Sequence, residues 1–273
     1  MGTSKFIGPT TKGNTVDRPL SYLLIAGVTI AGIAASAFAA EAASGSVSVT
    51  KSRGKICMTS NGLPDHSTGK FPNSGNPNRI AAQFIEVCVP ENPVKTSRAT
   101  QLRGSTGFAL NGVMIRPGTA DYYDASSPRG FSRNRSSGWL LDGKGAGSML
   151  GLDRNNAHVD HRGLYHYHAK PTGFLKGRNS TLVGFAADGF EIHYVGSRAK
   201  SGYTLKAGKR NGGPGGKHDG TYVQDWQYTG GSSKLDQCNG GTLNGKFVYF
   251  VTDSYPYLPH CAWGKVDRGF GRP

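Results

Sequence analysis

Short runs of alternating apolar and polar residues recur along the chain, and this pattern limits the possible folds more than any other feature. Successive side chains of a β-strand point to opposite faces, so such alternation is typical of a strand with one buried face. The runs are bounded by Gly, Pro, Asn or Ser and cover residues 46–50, 80–89, 107–115, 164–169, 182–195, 221–229 and 246–252. Because 41 Gly and 14 Pro are spread over 273 residues, long helices are excluded. We predict a mainly β fold, an antiparallel sheet or sandwich with long loops and few short helices.

The first 39 residues have the features of a secretory signal peptide. Residues 19–39 carry no charge, follow the basic residues Lys5, Lys12 and Arg18, and end in the small-residue pattern Ala37-Phe38-Ala39. An uncleaved anchor helix is the alternative, since about twenty apolar residues can cross a bilayer. We predict that residues 1–39 are removed, that no stable membrane span remains, and that the protein is secreted or periplasmic.

The four cysteines agree with export. They are an even number without a C-x-x-C pair, which in an oxidising compartment favours two structural disulfides. Three connectivities are open, and we expect the sequential one, Cys57 with Cys88 and Cys238 with Cys261, because it closes two local loops. A zinc site built from cysteines is the weaker alternative. The mature chain then divides into an N-terminal β segment at 40–104 with one disulfide, a main domain at 105–264 and a basic C-terminal tail at 265–273.

The net charge of +15 restricts the partners of the protein. Its basic residues are scattered and no groove with interleaved aromatic residues is evident, so together with export the pattern argues against nucleic acid. A positive chain outside the cytoplasm would be attracted to an anionic envelope or glycan surface. Solvated surface charge without a specific partner is the alternative, and the sequence does not determine the oligomeric state.

Four of the eight histidines fall within eleven residues: His158, His161, His166 and His168. His166 and His168 alternate with Tyr165 and Tyr167, so on a strand the two imidazoles share one face, with Cα atoms about 7 Å apart, while the tyrosines point to the other. Imidazoles at this spacing can bind one divalent metal ion, and zinc or copper is the cofactor we expect.

A third metal ligand has to come from another part of the chain. We rank His158 first and His161 second, because a short loop tethers both to the strand, and Asp188 third. Further candidates are Asp153, Asp160 and His193.

With an open coordination position the ion would activate water, and Asp160 or Asp188 could act as general base. The alternatives are a closed, non-catalytic metal-binding module, and an envelope interaction protein whose histidines bind no metal.

The chain also contains two related hairpins. Residues 152–156 align with 235–239 at an offset of 83, and after one gap residues 163–168 align with 245–250. In the second copy Val248 and Phe250 replace the two histidines, whereas Phe247 and Tyr249 keep the aromatic positions. The aromatic residues therefore belong to the framework of the hairpin. The histidines are not needed for that framework, and their presence in the first copy alone favours a functional site there.

The motif Tyr165-His166-Tyr167-His168 resembles the one that gives the YHYH family its name. Further blocks match in order, at Asn111-Gly112-Val113, 182–190, 220–228, 235–240 and Tyr255-Pro256-Tyr257 before Cys261. The resemblance covers roughly residues 105–264. It implies an exported, β-rich, metal-linked domain and no particular reaction. Relatives often have Pro-Ile-Tyr where this chain has Glu191-Ile192-His193, so the resemblance does not support His193 as a shared ligand.

Overall fold

The computed structural model describes residues 44–270, and these belong to one compact unit. The predicted signal peptide lies outside the described residues. Within them, no helix is both long enough and apolar enough to cross a membrane.

Eighteen strands and only one short α-helix are present in the described part of the chain, so the prediction of a mainly β fold with few helices is confirmed. The helix α1 is Thr172–Leu175, and 3₁₀ turns lie at Arg135–Ser137, Gly196–Arg198 and Val223–Asp225. The strands are β1 (Val47–Ser52), β2 (Lys55–Ser60), β3 (Ile85–Pro90), β4 (Thr100–Gln101), β5 (Gly107–Ala109), β6 (Met114–Ile115), β7 (Gly118–Tyr123), β8 (Phe131–Ser132), β9 (Leu140–Asp142), β10 (Ala157–Val159), β11 (Tyr165–Tyr167), β12 (Leu182–Ala186), β13 (Glu191–Tyr194), β14 (Tyr203–Leu205), β15 (Trp226–Tyr228), β16 (Gly240–Leu243), β17 (Lys246–Val251) and β18 (Cys261–Ala262).

An eight-stranded sheet in the order β10-β11-β6-β5-β12-β13-β17-β16 forms the centre of the fold. Most of its neighbours are antiparallel, as predicted, but β11 runs parallel to β6 and β13 runs parallel to β17. Parallel neighbours need a long connection, and the long segments between β6 and β11 and between β13 and β17 provide it. The sheet is therefore mixed.

The two related hairpins lie at opposite edges of this sheet, in two halves of the same topology. In the first half the hairpin β5–β6 is followed by the hairpin β10–β11, with β11 beside β6. In the second half the hairpin β12–β13 is followed by β16–β17, with β17 beside β13. The halves meet where β5 and β12 pair antiparallel. The self-similarity of the sequence thus extends to a repeat of four strands.

The turns that open the two edge hairpins are alike in detail. Asp153 accepts hydrogen bonds from the backbone of Asn155 and Ala157, at 2.8 and 3.3 Å. Asp236 accepts the corresponding bonds from Cys238 and Gly240, at 2.9 and 2.7 Å. Asn156 and its counterpart Asn239 both have positive φ, 57° and 60°, a conformation that asparagine tolerates better than most residues. These Asp and Asn residues therefore build the turns that open the two edge hairpins.

Both predicted disulfides are present. Cys57 and Cys88 lie directly opposite each other on β2 and β3, in the separate sheet β1-β2-β3. Cys238 precedes β16 and is bonded to Cys261 on β18. The first bond cross-links two neighbouring strands, and the second ties the second edge hairpin to the C-terminal part of the domain.

The main core lies on the tyrosine side of the first edge hairpin. Tyr165 and Tyr167 are fully buried there with Val113, Ile115 and Val159. On the opposite face of β11, which carries the histidines, the segments before β7 and after β9 approach His168 through Pro117 and Gly143.

Candidate metal centre

Two adjacent strands bring three histidines together. His158 on β10 stands directly opposite His166 on β11 in the antiparallel register. His168 follows β11 and lies two residues beyond His166, so it shares the same face. The centroids of the three rings are 4.6 to 4.8 Å apart. One nitrogen atom from each ring lies within 4.8 Å of the others, so the three imidazoles can converge on one ion.

Backbone carbonyl groups fix the orientation of all three rings. The Nδ1 atom of His158 is 2.9 Å from the carbonyl oxygen of Leu150, that of His166 is 3.0 Å from Leu164, and that of His168 is 3.3 Å from Pro117. A carbonyl oxygen only accepts, so each Nδ1 carries the hydrogen and donates it. In a neutral ring the Nε2 atom then has a free lone pair, and this is the usual outer-shell arrangement of a metal-binding histidine.

The Nε2 atoms of His158 and His168 face each other at 3.0 Å. If both rings are neutral and carry their hydrogen on Nδ1, the lone pairs of the two Nε2 atoms point at each other at this distance. This contact is repulsive unless a proton or a cation lies between them. Two nitrogen ligands of a tetrahedral zinc ion lie about 3.3 Å apart, calculated from the zinc–nitrogen bond length. The 3.0 Å distance between the two Nε2 atoms is therefore close to that of two ligands of one ion.

Burial keeps these rings neutral. His166 and His168 are each only 2% exposed, and His158 is partly buried. Burial lowers the pKa of all three histidines, those of His166 and His168 well below the ordinary value, and the neighbouring positive charges act in the same direction. A proton bridging the pair is thus disfavoured, and a metal ion fits the three free nitrogen atoms better.

A glycine lets the segment after β9 approach the cluster. Gly143 follows β9, and a methyl group at its α-carbon would overlap Nδ1 of His168 and come within 2.8 Å of the carbonyl oxygen of Pro117. Its backbone does not have positive φ, so this close contact, and not backbone conformation, is what requires glycine. Gly143 therefore helps to keep His168 on the Pro117 carbonyl.

One ion pair lies beside the histidines. Arg116 follows β6 and its guanidinium is 3.3 Å from Asp160. Burial alone would raise the pKa of Asp160, but hydrogen bonds from the backbone of Arg162 and Leu164 and the charge of Arg116 lower it. Asp160 is consequently an ionised residue that binds Arg116 and closes the β10–β11 turn, and its low basicity makes it a poor general base.

The remaining predicted candidates lie outside the cluster. His161 is exposed on the turn between β10 and β11. Asp153 caps its own turn and accepts a hydrogen bond from the Tyr165 hydroxyl at 2.7 Å. His193 on β13 contacts Thr181 and Glu191, at 3.0 and 2.9 Å.

Asp188 belongs to the second half of the sheet. Its carboxylate accepts hydrogen bonds from the Tyr249 hydroxyl at 2.7 Å and from the backbone of Gly264 at 2.8 Å. Asn111 occupies the equivalent loop of the first half, and its side chain donates to the hydroxyl of Tyr167 at 3.0 Å. Both residues thus hold the framework tyrosine of their half, which gives Asp188 a structural role instead of the predicted place as ligand or base.

Comparison with known proteins identifies the class of this domain. The sequence profile described as YHYH protein matches residues 86–264, about two thirds of the chain. The chain therefore belongs to the YHYH family, and the match begins earlier than the resemblance at 105–264, inside β3. No curated protein and no solved structure matches the chain.

Several residues of the site could not be recognised from their side chains. The carbonyl groups of Leu150, Leu164 and Pro117 have no sequence signature, because every residue carries one. Gly143 lies in the glycine-rich segment 142–151, which by its composition indicates only a loop. Arg116 stands two residues beyond Met114, and only the pairing of β6 with β11 brings it to the histidines.

Proposed function

We propose that this YHYH-family protein is exported and binds one divalent metal ion, zinc or copper, through His158, His166 and His168. The observation that carries the proposal is the pair of Nε2 atoms at 3.0 Å, in rings whose Nδ1 atoms donate to backbone carbonyl groups. Imidazole nitrogen is a ligand for zinc and copper alike. Export is supported by the two disulfides, which persist in oxidising compartments, and by the predicted signal peptide.

The ligand number supports a site with an exchangeable position. Three protein ligands leave one place on a tetrahedral ion, the arrangement of zinc sites that bind water or a substrate, whereas structural zinc sites use four protein ligands. Hydrolysis or another reaction of metal-bound water is therefore the second candidate function.

Elemental analysis of protein exported by its native host tests the proposal. We expect about one zinc or copper ion per chain in the wild type and a loss of that metal in the double variant His166→Ala, His168→Ala. A double variant of two histidines outside the cluster, His161→Ala and His218→Ala, controls for general loss of imidazole and should retain the metal. Equal metal content in all three proteins, or none in any of them, would refute the proposal.

A further inference from the structure

A cavity open to solvent lies on the tyrosine side of the first edge hairpin, away from the cluster of His158, His166 and His168. Its volume is about 790 Å³, within the range of about 300–1,000 Å³ that is usual for small-molecule sites. The walls come from the segments on either side of the hairpin and from the loop that carries His66. His66 is also linked to the framework, since its Nε2 atom is 2.6 Å from the hydroxyl of Tyr167.

Positive charge dominates the lining of this cavity. Arg154, Lys170 and Lys176 contribute to it, and no carboxylate is among the lining residues. Within residues 44–270, Arg154 and Lys176 take part in no ion pair, whereas Lys170 is bonded to Asp253. Asp153, the carboxylate next to Arg154, is occupied by hydrogen bonds from Tyr165 and from the backbone of Gly69. Two cationic side chains are thus available to a ligand.

The other lining groups are those that bind sugars. Ser67 and Thr172, both exposed, supply neutral hydrogen-bonding groups, and the partly exposed ring of Tyr194 supplies an aromatic surface. The floor is closely packed, because a methyl group on Gly173 would come within 2.6 Å of the Asn155 side chain and 2.7 Å of the His66 ring. The volume exceeds what one phosphate ion needs.

We infer that this cavity binds a short acidic oligosaccharide, with Arg154 and Lys176 contacting its anionic groups and the neutral residues contacting its hydroxyl groups. The site is separate from the histidine cluster and does not depend on a bound metal. The sequence predicts attraction of this positively charged protein to anionic glycans, and the cavity is the place in the fold where we infer that such a glycan binds.

Calorimetric titration of the mature protein in EDTA tests this inference. The probes are trigalacturonate, which carries three carboxylates, maltotriose, a neutral trisaccharide, and inorganic phosphate. We expect trigalacturonate to bind at least about tenfold more tightly than maltotriose, and its affinity to fall at least about tenfold in the variant Arg154→Ala, Lys176→Ala.

The matched control is Lys209→Ala, Lys217→Ala, which removes the same charge from exposed residues outside the cavity. It should retain trigalacturonate affinity within about twofold. Thermal unfolding midpoints equal to that of the wild type show that both variants are folded. The inference is overturned if the two variants lose equal affinity, if maltotriose or inorganic phosphate binds as tightly as trigalacturonate, or if no probe binds.

Discussion

Replacing His168 by Gln should weaken metal binding by about two orders of magnitude. Structural zinc sites with four ligands have apparent binding free energies of about 10–16 kcal/mol, hence about 3 kcal/mol per ligand, and about 3 kcal/mol corresponds to about 100-fold in the dissociation constant. His168 is the right position for this test because its Nε2 atom is 3.0 Å from that of His158 and its ring is almost fully buried. Solvent or a rotated side chain cannot easily replace it.

The same substitution has a calculable effect on folding stability. Zinc that is free at 100 times its dissociation constant should raise the free energy of unfolding of the wild type by about 2.7 kcal/mol. At that concentration a variant with 100-fold weaker binding is half saturated and gains only about 0.4 kcal/mol. Urea denaturation with and without zinc measures both values, and competition with a chromophoric chelator gives the dissociation constant directly.

Two other histidines serve as controls. His193→Gln changes a buried histidine that contacts Thr181 and Glu191, and His161→Gln changes an exposed one on the turn of the same hairpin. Both should keep the affinity of the wild type within a few-fold. If His168→Gln bound zinc as tightly as the wild type, or if His161→Gln lost binding to the same extent, the assignment of the three ligands would be wrong.

Other changes test the surroundings of the site. Burial lowers the pKa of the clustered histidines, so protons compete with the metal only below the ordinary value of about 6.5, and a titration should show zinc retained at pH 6.5 and released at lower pH. Gly143→Ala should weaken zinc binding about 10–100-fold by displacing a ligand, whereas Gly118→Ala, in open space, should not. Tyr167→Phe should cost about 1–3 kcal/mol in urea denaturation by removing the hydroxyl group that hydrogen-bonds to Asn111 and His66, with zinc affinity unchanged. Burial raises the pKa of Asp142 to about 7, so ionising this carboxyl group destabilises the folded state as pH rises from about 4 to about 7. Asp142→Asn should therefore increase the free energy of unfolding at pH 8, by at most about 4 kcal/mol. At pH 4 the substitution should change it little.

Local patterns in the sequence predicted the framework well. Alternation covered six of the eight strands of the central sheet, although the runs 107–115 and 182–195 each form a hairpin of two strands and not one strand. Even cysteine number and spacing predicted both disulfides, and the comparison of the chain with itself found both edge hairpins. These features depend on residues close to one another in the chain or on a simple period. The self-comparison also separated the aromatic framework from the histidines, and the shared contacts of Tyr167 and Tyr249 explain why it did.

The parts that escaped prediction depend on contacts between distant segments. His158 ranks above His161 as the predicted third ligand, but the reason lies in the strand register, in which His158 pairs with His166 while His161 falls on the turn. The parallel pairing of β6 with β11 places Arg116 near the histidines, and no local pattern specifies it. Asp188 ranks third as a predicted ligand, and its bond to Tyr249, made across 61 residues of sequence, has no local pattern.

The pairing of β5 with β12 has a consequence for how such a domain could be assembled. Within its own half, each of these two strands has a neighbour on one side only, and its other side pairs with the second half. The two halves share one topology. A chain carrying only the first half would expose β5 as an unpaired edge strand. Because β5 and its equivalent β12 pair antiparallel, the β5 strand of a second copy could pair with this edge in the same way. Such a homodimer would hold two tris-histidine centres at its outer edges. In the second half of the present chain Val248 and Phe250 stand where the first half has His166 and His168, and Gly241 stands opposite Val248 as His158 stands opposite His166. Introducing histidine at these three positions would test whether the second half can form the same cluster.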